Sequence, residues 1–320
     1  APGLSRWLSG LFSELKMAVP WGHIAAKAWG SQKASPVLCL HGWLDNANSF
    51  DRLIPLLPRD FYYVAMDFGG HGLSSHYSPG LPYYYQNFVG EIRRVSAALK
   101  WDRFSIMGHS FGGGCSQFFG GKTAPWGSDI VALLRGLGSS LWHNSELENL
   151  LTYKRKVIEH TLQVEQAAQE PSRALSPEEM LQRFLKNNSH VGEECGELLL
   201  QRGATQVPAG LVLNRDRRIA WPEHTFDFIS KELCAHAVKK LQAHMLLIKA
   251  TGGFFDVRRE YDADKGLILF MTDQLKSALG ERFQFVEVPG NHYVHMNQPD
   301  HVAGIIGSFL QSRNRIPAQL

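Results

Sequence analysis

Gly108-His109-Ser110-Phe111-Gly112 is the stretch with the clearest chemical content. A serine two residues from a glycine on either side, directly after the apolar run "RFSIM", has the form of a sharp strand-to-helix turn. Side chains at the glycine positions would clash there. Their absence lets the hydroxyl stand at the end of the strand, with the N-terminus of the next helix facing any charge that develops. The same five residues also occur as a plain glycine turn, and the strand before them is what favours a nucleophile.

A serine is a weak nucleophile until a base removes its proton. Fourteen histidines compete for that role. His292 stands out because "VEVPGNHYVHMNQP" puts it in a loop just after the last expected strand. His295 is its local rival and is expected to enter the following helix, while His71 and His109 are expected to line a pocket or shape a turn. The base needs an orienting acid. "LLIKATGGFFDVRREYD" offers Asp256 in the loop after the preceding strand, with Asp262 as a lesser candidate. An acyl-transfer site also needs donors for an oxyanion, and "LCLHGWLDN" ends a strand at His41-Gly42. The backbone N–H of Trp43 can then join that of Phe111, and losing one such donor costs about 10²–10³ in rate.

These residues work only if a scaffold brings strand ends together. "PVLCLHG" (residues 36–42), "YYVAMDF" (62–68) and "RFSIMGH" (103–109) are short apolar runs ending in turn residues, as expected of strands buried on both faces. "HMLLIKA" (244–250) and "FQFVEVPG" (283–290) are two more, and "HIAAKAWG" (23–30) reads as an early edge strand. "EIRRVSAALK" and "DQLKSALG" carry helical spacing between strands, the second closing on a C-terminal glycine. Strand and helix in alternation give an α/β, mostly parallel, doubly wound sheet. Residues 144–241 are charged and helical in pattern, with "ELENLLTYKRKVIEHTLQVEQAAQ" as one long helix and "SPEEMLQRFLK" opening on a serine cap. This block is expected to be a helical lid inserted into a core made of residues 21–143 and 242–320.

Composition excludes some classes. A formal charge of +3 with no dense Lys/Arg run gives no case for nucleic acid. Four scattered cysteines, with no CxxC pair, argue against a disulfide framework. No cofactor motif or metal-ligand cluster is apparent, and a small-molecule acyl substrate is the expected partner. Residues 1–20 form an N-terminal segment in which Leu4, Trp7, Leu8, Leu11, Phe12 and Leu15 fall on one helical face. It is compatible with peripheral membrane contact, an organelle presequence or a terminal helix packed on the domain. The last three residues, "AQL", have the first and last residues of a peroxisomal tail, but Gln319 replaces its basic residue. A cytoplasmic location is expected, with the peroxisome as the alternative.

"LCLHGWLDNANSFDRLIPLL", "YYVAMDFGGHGLSSHY", "IMGHSFGG" and "VPGNHYVHM" together resemble the α/β-hydrolase superfamily, and the chain is especially similar to the serine hydrolase-like proteins of animals. The resemblance spans residues 23–309. It implies Ser110 as nucleophile, His292 as base, Asp256 as acid, and Trp43 with Phe111 as oxyanion donors, in the chain order Ser, Asp, His of that fold. It also implies a structural role for Asp67 beside the pocket. One departure follows the serine. Gly113, Gly114, Gly120 and Gly121 each weaken a helix by about 1 kcal/mol relative to alanine; the first two are expected to serve close packing at the turn in part, and Gly120 and Gly121 have no such reason. "DIVALLRGL" (129–137) is expected to supply a strand with no acid at its C-terminal end; Gly136 or Gly138 falls there. A serine hydrolase acting on an ester-type acyl group is the leading expectation. A fold-retaining binding protein with weakened catalysis is the alternative.

Overall fold

The structure, a computed structural model, describes residues 12–119, 130–133, 141–142, 147–167, 173–219, 229–253 and 263–314. The strands are β1 (Ser13–Val19), β2 (Gly22–Trp29), β3 (Ser35–Leu40), β4 (Phe61–Met66), β5 (Ser105–His109), β6 (Ile130–Leu133), β7 (Leu141–Trp142), β8 (Ala204–Val207), β9 (Gly210–Leu213), β10 (Ile229–Ser230), β11 (Met245–Gly252) and β12 (Phe283–Asn291). The helices are α1 (Tyr85–Ala98), α2 (Phe111–Phe119), α3 (Leu147–Ala167), α4 (Pro177–Asn187), α5 (Glu193–Gly203), α6 (Lys231–Val238), α7 (Ala263–Leu279), α8 (Val294–Asn297) and α9 (Asp300–Asn314).

Eight strands form one sheet in the order β1-β2-β4-β3-β5-β6-β11-β12. β2 pairs antiparallel with both β1 and β4, and every other pairing in this sheet is parallel. The apolar runs of β3 and β4 are buried on both faces because successive side chains point opposite ways. Val37 and Cys39 of β3 pack with Ile306, Phe309 and Leu310 of α9. Leu38 and Leu40 pack with Phe88, Ile92 and Val95 of α1 and with Phe111 and Cys115 of α2. β11 divides likewise, Leu246 and Ile248 to the first face and Met245 and Leu247 toward Met271 and Leu275 of α7. Helices on both faces of a mostly parallel sheet make this a doubly wound α/β fold.

The N-terminal reading needs correction. Ser13–Val19 is an edge strand that pairs with β2 through a two-residue turn at Pro20-Trp21, so the helical face expected through Leu15 does not form there. Pairing with the buried β2 outweighs the helical spacing, and β2 lies inside the sheet instead of at its edge. Leu4 to Leu11 fall outside the described residues. Between β6 and β11 the described elements are mainly helical. α4 begins at Ser176 with a reciprocal cap: its side chain accepts from the Glu179 N–H, and the Glu179 carboxylate accepts from the Ser176 N–H. The hairpin β8–β9 joins this region through the Leu175–Leu211 bridge.

Candidate active site

Ser110 sits between β5 and α2 with φ +53°, in the left-handed region that non-glycine residues rarely occupy. Holding it there costs about 1–3 kcal/mol and requires the surroundings to impose it. They do so by close approach. A Cβ at Gly112 would lie 2.2 Å from the Leu40 carbonyl oxygen, and one at Gly108 would lie 2.5 Å from the Gly112 carbonyl carbon. The first turn of α2 is thus pressed on β3 and β5, and its first helical bond runs from Gly114 N–H to the Ser110 carbonyl at 3.2 Å. Close packing falls on Gly108 and Gly112. It does not fall on Gly114, where a Cβ would meet only the Tyr85 hydroxyl at 3.4 Å, because that position faces α1 across an ordinary gap. The glycine-rich run forms a helix over Phe111–Phe119; Gly120, Gly121, Gly136 and Gly138 lie outside the described residues.

The loop after β3 is fixed by His41. Its Nδ1 donates to the Gly42 carbonyl at 2.7 Å and its Nε2 accepts from the Phe68 N–H at 3.1 Å, tying the ends of β3 and β4 together. Burial keeps this imidazole neutral by lowering its pKa. The Gly42 carbonyl also accepts from the Asp45 N–H at 3.1 Å. A trans peptide is planar, so holding that carbonyl turns the Trp43 N–H to the opposite side. The indole of Trp43 packs 4.9 Å from the Phe111 ring, so the two residues expected to supply donors are neighbours. A Cβ at Gly42 would come within 2.6 Å of Asp45 Oδ2 and 2.8 Å of His109 Nδ1, so only glycine fits between them.

His292 directly follows β12 and is buried. His109 Nε2 lies 3.0 Å from the His292 carbonyl, and the two rings are 4.8 Å apart. The residue before the serine therefore grips the backbone of the expected base. His109 is itself backed by Asp45, with Nδ1 3.6 Å from Asp45 Oδ2, while the other Asp45 oxygen accepts from the Tyr293 hydroxyl at 3.1 Å. His295 enters α8 as expected. It is fully buried, its Nε2 is 2.9 Å from Ser49 Oγ, and burial first, then the His109 and His292 charges, push its pKa well down. The base loop is also tied to the turn after α4. Asn291 and Asn297 both donate to the His190 carbonyl, at 2.9 and 2.8 Å.

Asp256 and Asp262 lie outside the described residues. What is described is the strand that leads to them. β11 pairs with β12 up to Gly252 opposite Asn291, so the chain leaves β11 next to His292. Asp67 accepts from Ala47 N–H at 2.7 Å, Leu73 N–H at 2.8 Å and Arg202 Nε at 2.8 Å, with no solvent exposure. Arg202 comes from α5 and also reaches Glu14 at 2.7 Å. His71 is buried against Trp43, His41 and Phe88, with Nδ1 3.1 Å from the Gly69 carbonyl, and burial holds its pKa well below normal. Gly69 N–H is bound in turn by Glu91 at 2.9 Å. Sequence reasoning missed Asp45, Tyr293, Glu91 and Arg202, each tens of residues or more in sequence from the partner it serves. Only Asp45 and Tyr293 carried a signal, since they stand inside the loops that bear Trp43 and His292.

A nucleophile-type turn, two tied strand ends and a histidine loop on one edge of this sheet define the class. The chain belongs to the alpha/beta hydrolase fold family, whose model matches residues 35–299. It is 67% identical over 311 residues, 97% of this chain and 98% of the relative, to serine hydrolase-like protein 2 of Homo sapiens. It is 65% identical over 309 residues, 96% and 98% of the two chains, to a serine hydrolase-like protein of Mus musculus. Among solved structures, a hypothetical protein from Pseudomonas aeruginosa PAO1 superposes with a TM-score of 0.76 at 26% identity, covering 93% of this chain and 99% of that one. The thioesterase domain from the curacin biosynthetic pathway superposes at 0.70 with 20% identity, over 92% and 98%, and shares the fold. The fold and the relatives' names are those of hydrolases.

Proposed function

We propose that the chain is a serine hydrolase that cleaves an ester-type or related acyl substrate. Ser110 Oγ attacks the carbonyl carbon as His292 takes the hydroxyl proton. Asp256 orients that imidazole and offsets its charge. The carbonyl oxygen becomes an oxyanion held by the N–H groups of Trp43 and Phe111. His292 then gives the proton to the leaving alcohol or thiol, leaving an acyl-serine. Water, deprotonated by His292, attacks the acyl-serine. The acid departs and the proton returns to Ser110. The observation that carries this reading is the left-handed backbone of Ser110, held by close packing at Gly108 and Gly112. Strain of this kind at a serine has a use where the hydroxyl must be presented, and a structural turn would place glycine there.

Trp43, His71, Phe88 and Phe111 form one aromatic group beside the serine, which suits an apolar acyl portion. The helices α3 to α5 are read as the lid, with residues 144–241 as its extent. Asp67–Arg202 and the His190 contacts would hold it on the core. The alternative of a weakened binding protein drew on the glycine run; its first part is helical over Phe111–Phe119, while Gly120 and Gly121 lie outside the described residues. A fluorophosphonate probe is expected to label the wild type and to leave Ser110→Ala unlabelled. Equal labelling of both proteins sinks the assignment, and absence of turnover on esters of every chain length in a well-folded protein favours the binding reading.

A further inference from the structure

Two clefts on the lid side share Leu213, Arg215 and Arg217. The smaller, about 390 Å³, lies between α4 and β9. Arg173, Arg183, Arg215 and Arg217 line it together with Asn187, over an apolar floor that includes Leu175 and Met180, and no carboxylate lines it among the described residues. Four like charges in one cleft repel one another, and Arg217 offsets part of this by donating to the Ala167 carbonyl at 3.0 Å.

The neighbouring arginines show what a neutralised guanidinium looks like in this protein. Arg218 binds Asp216 at 2.7 Å and the carbonyls of Tyr77, Ser78 and Leu81. Arg202 binds Asp67 and Glu14. Arg215 is half-buried and has no carboxylate or carbonyl acceptor among the described residues. Burial first, then the Arg183 charge, lowers its pKa. A guanidinium partly withdrawn from water and without a carboxylate beside it is favoured by a ligand that supplies the counter-charge. The guanidinium fork matches phosphate oxygens in pairs, and several such forks favour a multiply charged anion over a single carboxylate.

The cleft is joined to the serine site by backbone. Asp216 N–H donates to the Gly70 carbonyl at 2.8 Å, and the next residue, His71, packs 5.2 Å from the Trp43 ring. Ser110, Trp43 and His292 do not line either cleft, so one ligand spanning both places must be long. We propose that the α4–β9 cleft is an anion site for the phosphate-bearing end of an elongated acyl substrate, with Arg215 as its central ligand and Arg173, Arg183 and Arg217 around it. The acyl half of this statement rests on the hydrolase reading; the anion half stands on the cleft itself.

The test is calorimetric titration of inorganic pyrophosphate, at fixed ionic strength, into the full chain, Ser110→Ala, Arg215→Gln, Arg183→Gln and Arg155→Gln. Arg155 is an exposed arginine on α3 that does not line the cleft. Saturable binding is expected in the wild type, Ser110→Ala and Arg155→Gln, with Kd weakened about tenfold or more in Arg215→Gln, about 1.4 kcal/mol, and by less in Arg183→Gln. Arg183 is exposed, so its variant reports on binding even if Arg215→Gln folds poorly. No saturable binding by the wild type, or equal binding by all arginine variants, overturns the site. The second arm compares a phosphate-bearing acyl ester with an uncharged ester of the same length. Pyrophosphate is expected to raise KM for the charged ester competitively. If instead it changes only kcat on the uncharged ester, the ligand is free phosphate acting as a regulator and the substrate assignment fails. Binding through Arg215 with no turnover of either ester keeps the anion site and removes the hydrolase reading.

Discussion

Replacing Glu91 with glutamine should change how stability depends on pH. Glu91 lies on α1 with no solvent exposure, and its carboxylate accepts from the Gly69 N–H and the Tyr77 hydroxyl. Burial raises its pKa from 4.5 to about 7, the two hydrogen bonds and Arg94 opposing the rise. The folded value is the higher one. Between pH 4.5 and 7 the folded chain therefore holds a proton that the unfolded chain has lost, and stability falls as pH rises through that window. The loss is complete above pH 7 and amounts to about 3 kcal/mol for a shift of this size. Glutamine keeps an acceptor for Gly69 and a donor toward the Tyr77 oxygen and cannot ionise. Urea unfolding of wild type and Glu91→Gln at pH 5 and pH 8 isolates this group, because every other titration cancels in the double difference. The variant is expected to gain about 2–3 kcal/mol on the wild type over that interval. Parallel pH profiles for the two proteins would refute the claim that a buried charge at Glu91 opposes folding.

Two other substitutions test the frame around the site. Arg202→Met leaves the buried Asp67 carboxylate with its two backbone donors and no cation, and is expected to cost about 3 kcal/mol in urea unfolding; a loss under 1 kcal/mol would mean that the pair contributes little. Gly112→Ala and Gly114→Ala should part in sign. The first forces a Cβ against the Leu40 carbonyl and is expected to cost about 3 kcal/mol or to prevent folding. The second meets only the Tyr85 hydroxyl at 3.4 Å and should raise stability by up to about 1 kcal/mol through helix propensity; equal effects of the two would contradict the packing described for α2.

The core strands were legible because burial on both faces leaves an unbroken apolar run, as in "PVLCL" and "YYVAM", and a parallel sheet has few other ways to write itself. The edge was not. Ser13–Val19 is half exposed, and its residues satisfy a helical face and a strand about equally, so only the partner β2 decides. The same limit explains what was missed at the site. Ser110 and His292 announce themselves through their local turns. The charged groups behind the site's loops, Asp45 beside His109 and Arg202 on Asp67, are fixed by contacts between distant segments, and no spacing along the chain encodes a contact of that kind.

The glycine run after Ser110 shows how far a local propensity argument reaches. Summed along Phe111–Phe119, the glycines speak against a helix, yet a helix forms, because its apolar side chains Phe111 and Cys115 are buried against β3 and α1. Tertiary burial of two side chains of this size, about 1.5–3 kcal/mol for the phenylalanine alone, is of the order of the propensity deficit of the glycines. One of those glycines is also required, since the close approach at Gly112 is what brings the helix N-terminus under Ser110. The sequence feature that looked like damage to a nucleophile turn is, at Gly112, the condition for having one, whereas at Gly114 nothing in the packing requires it.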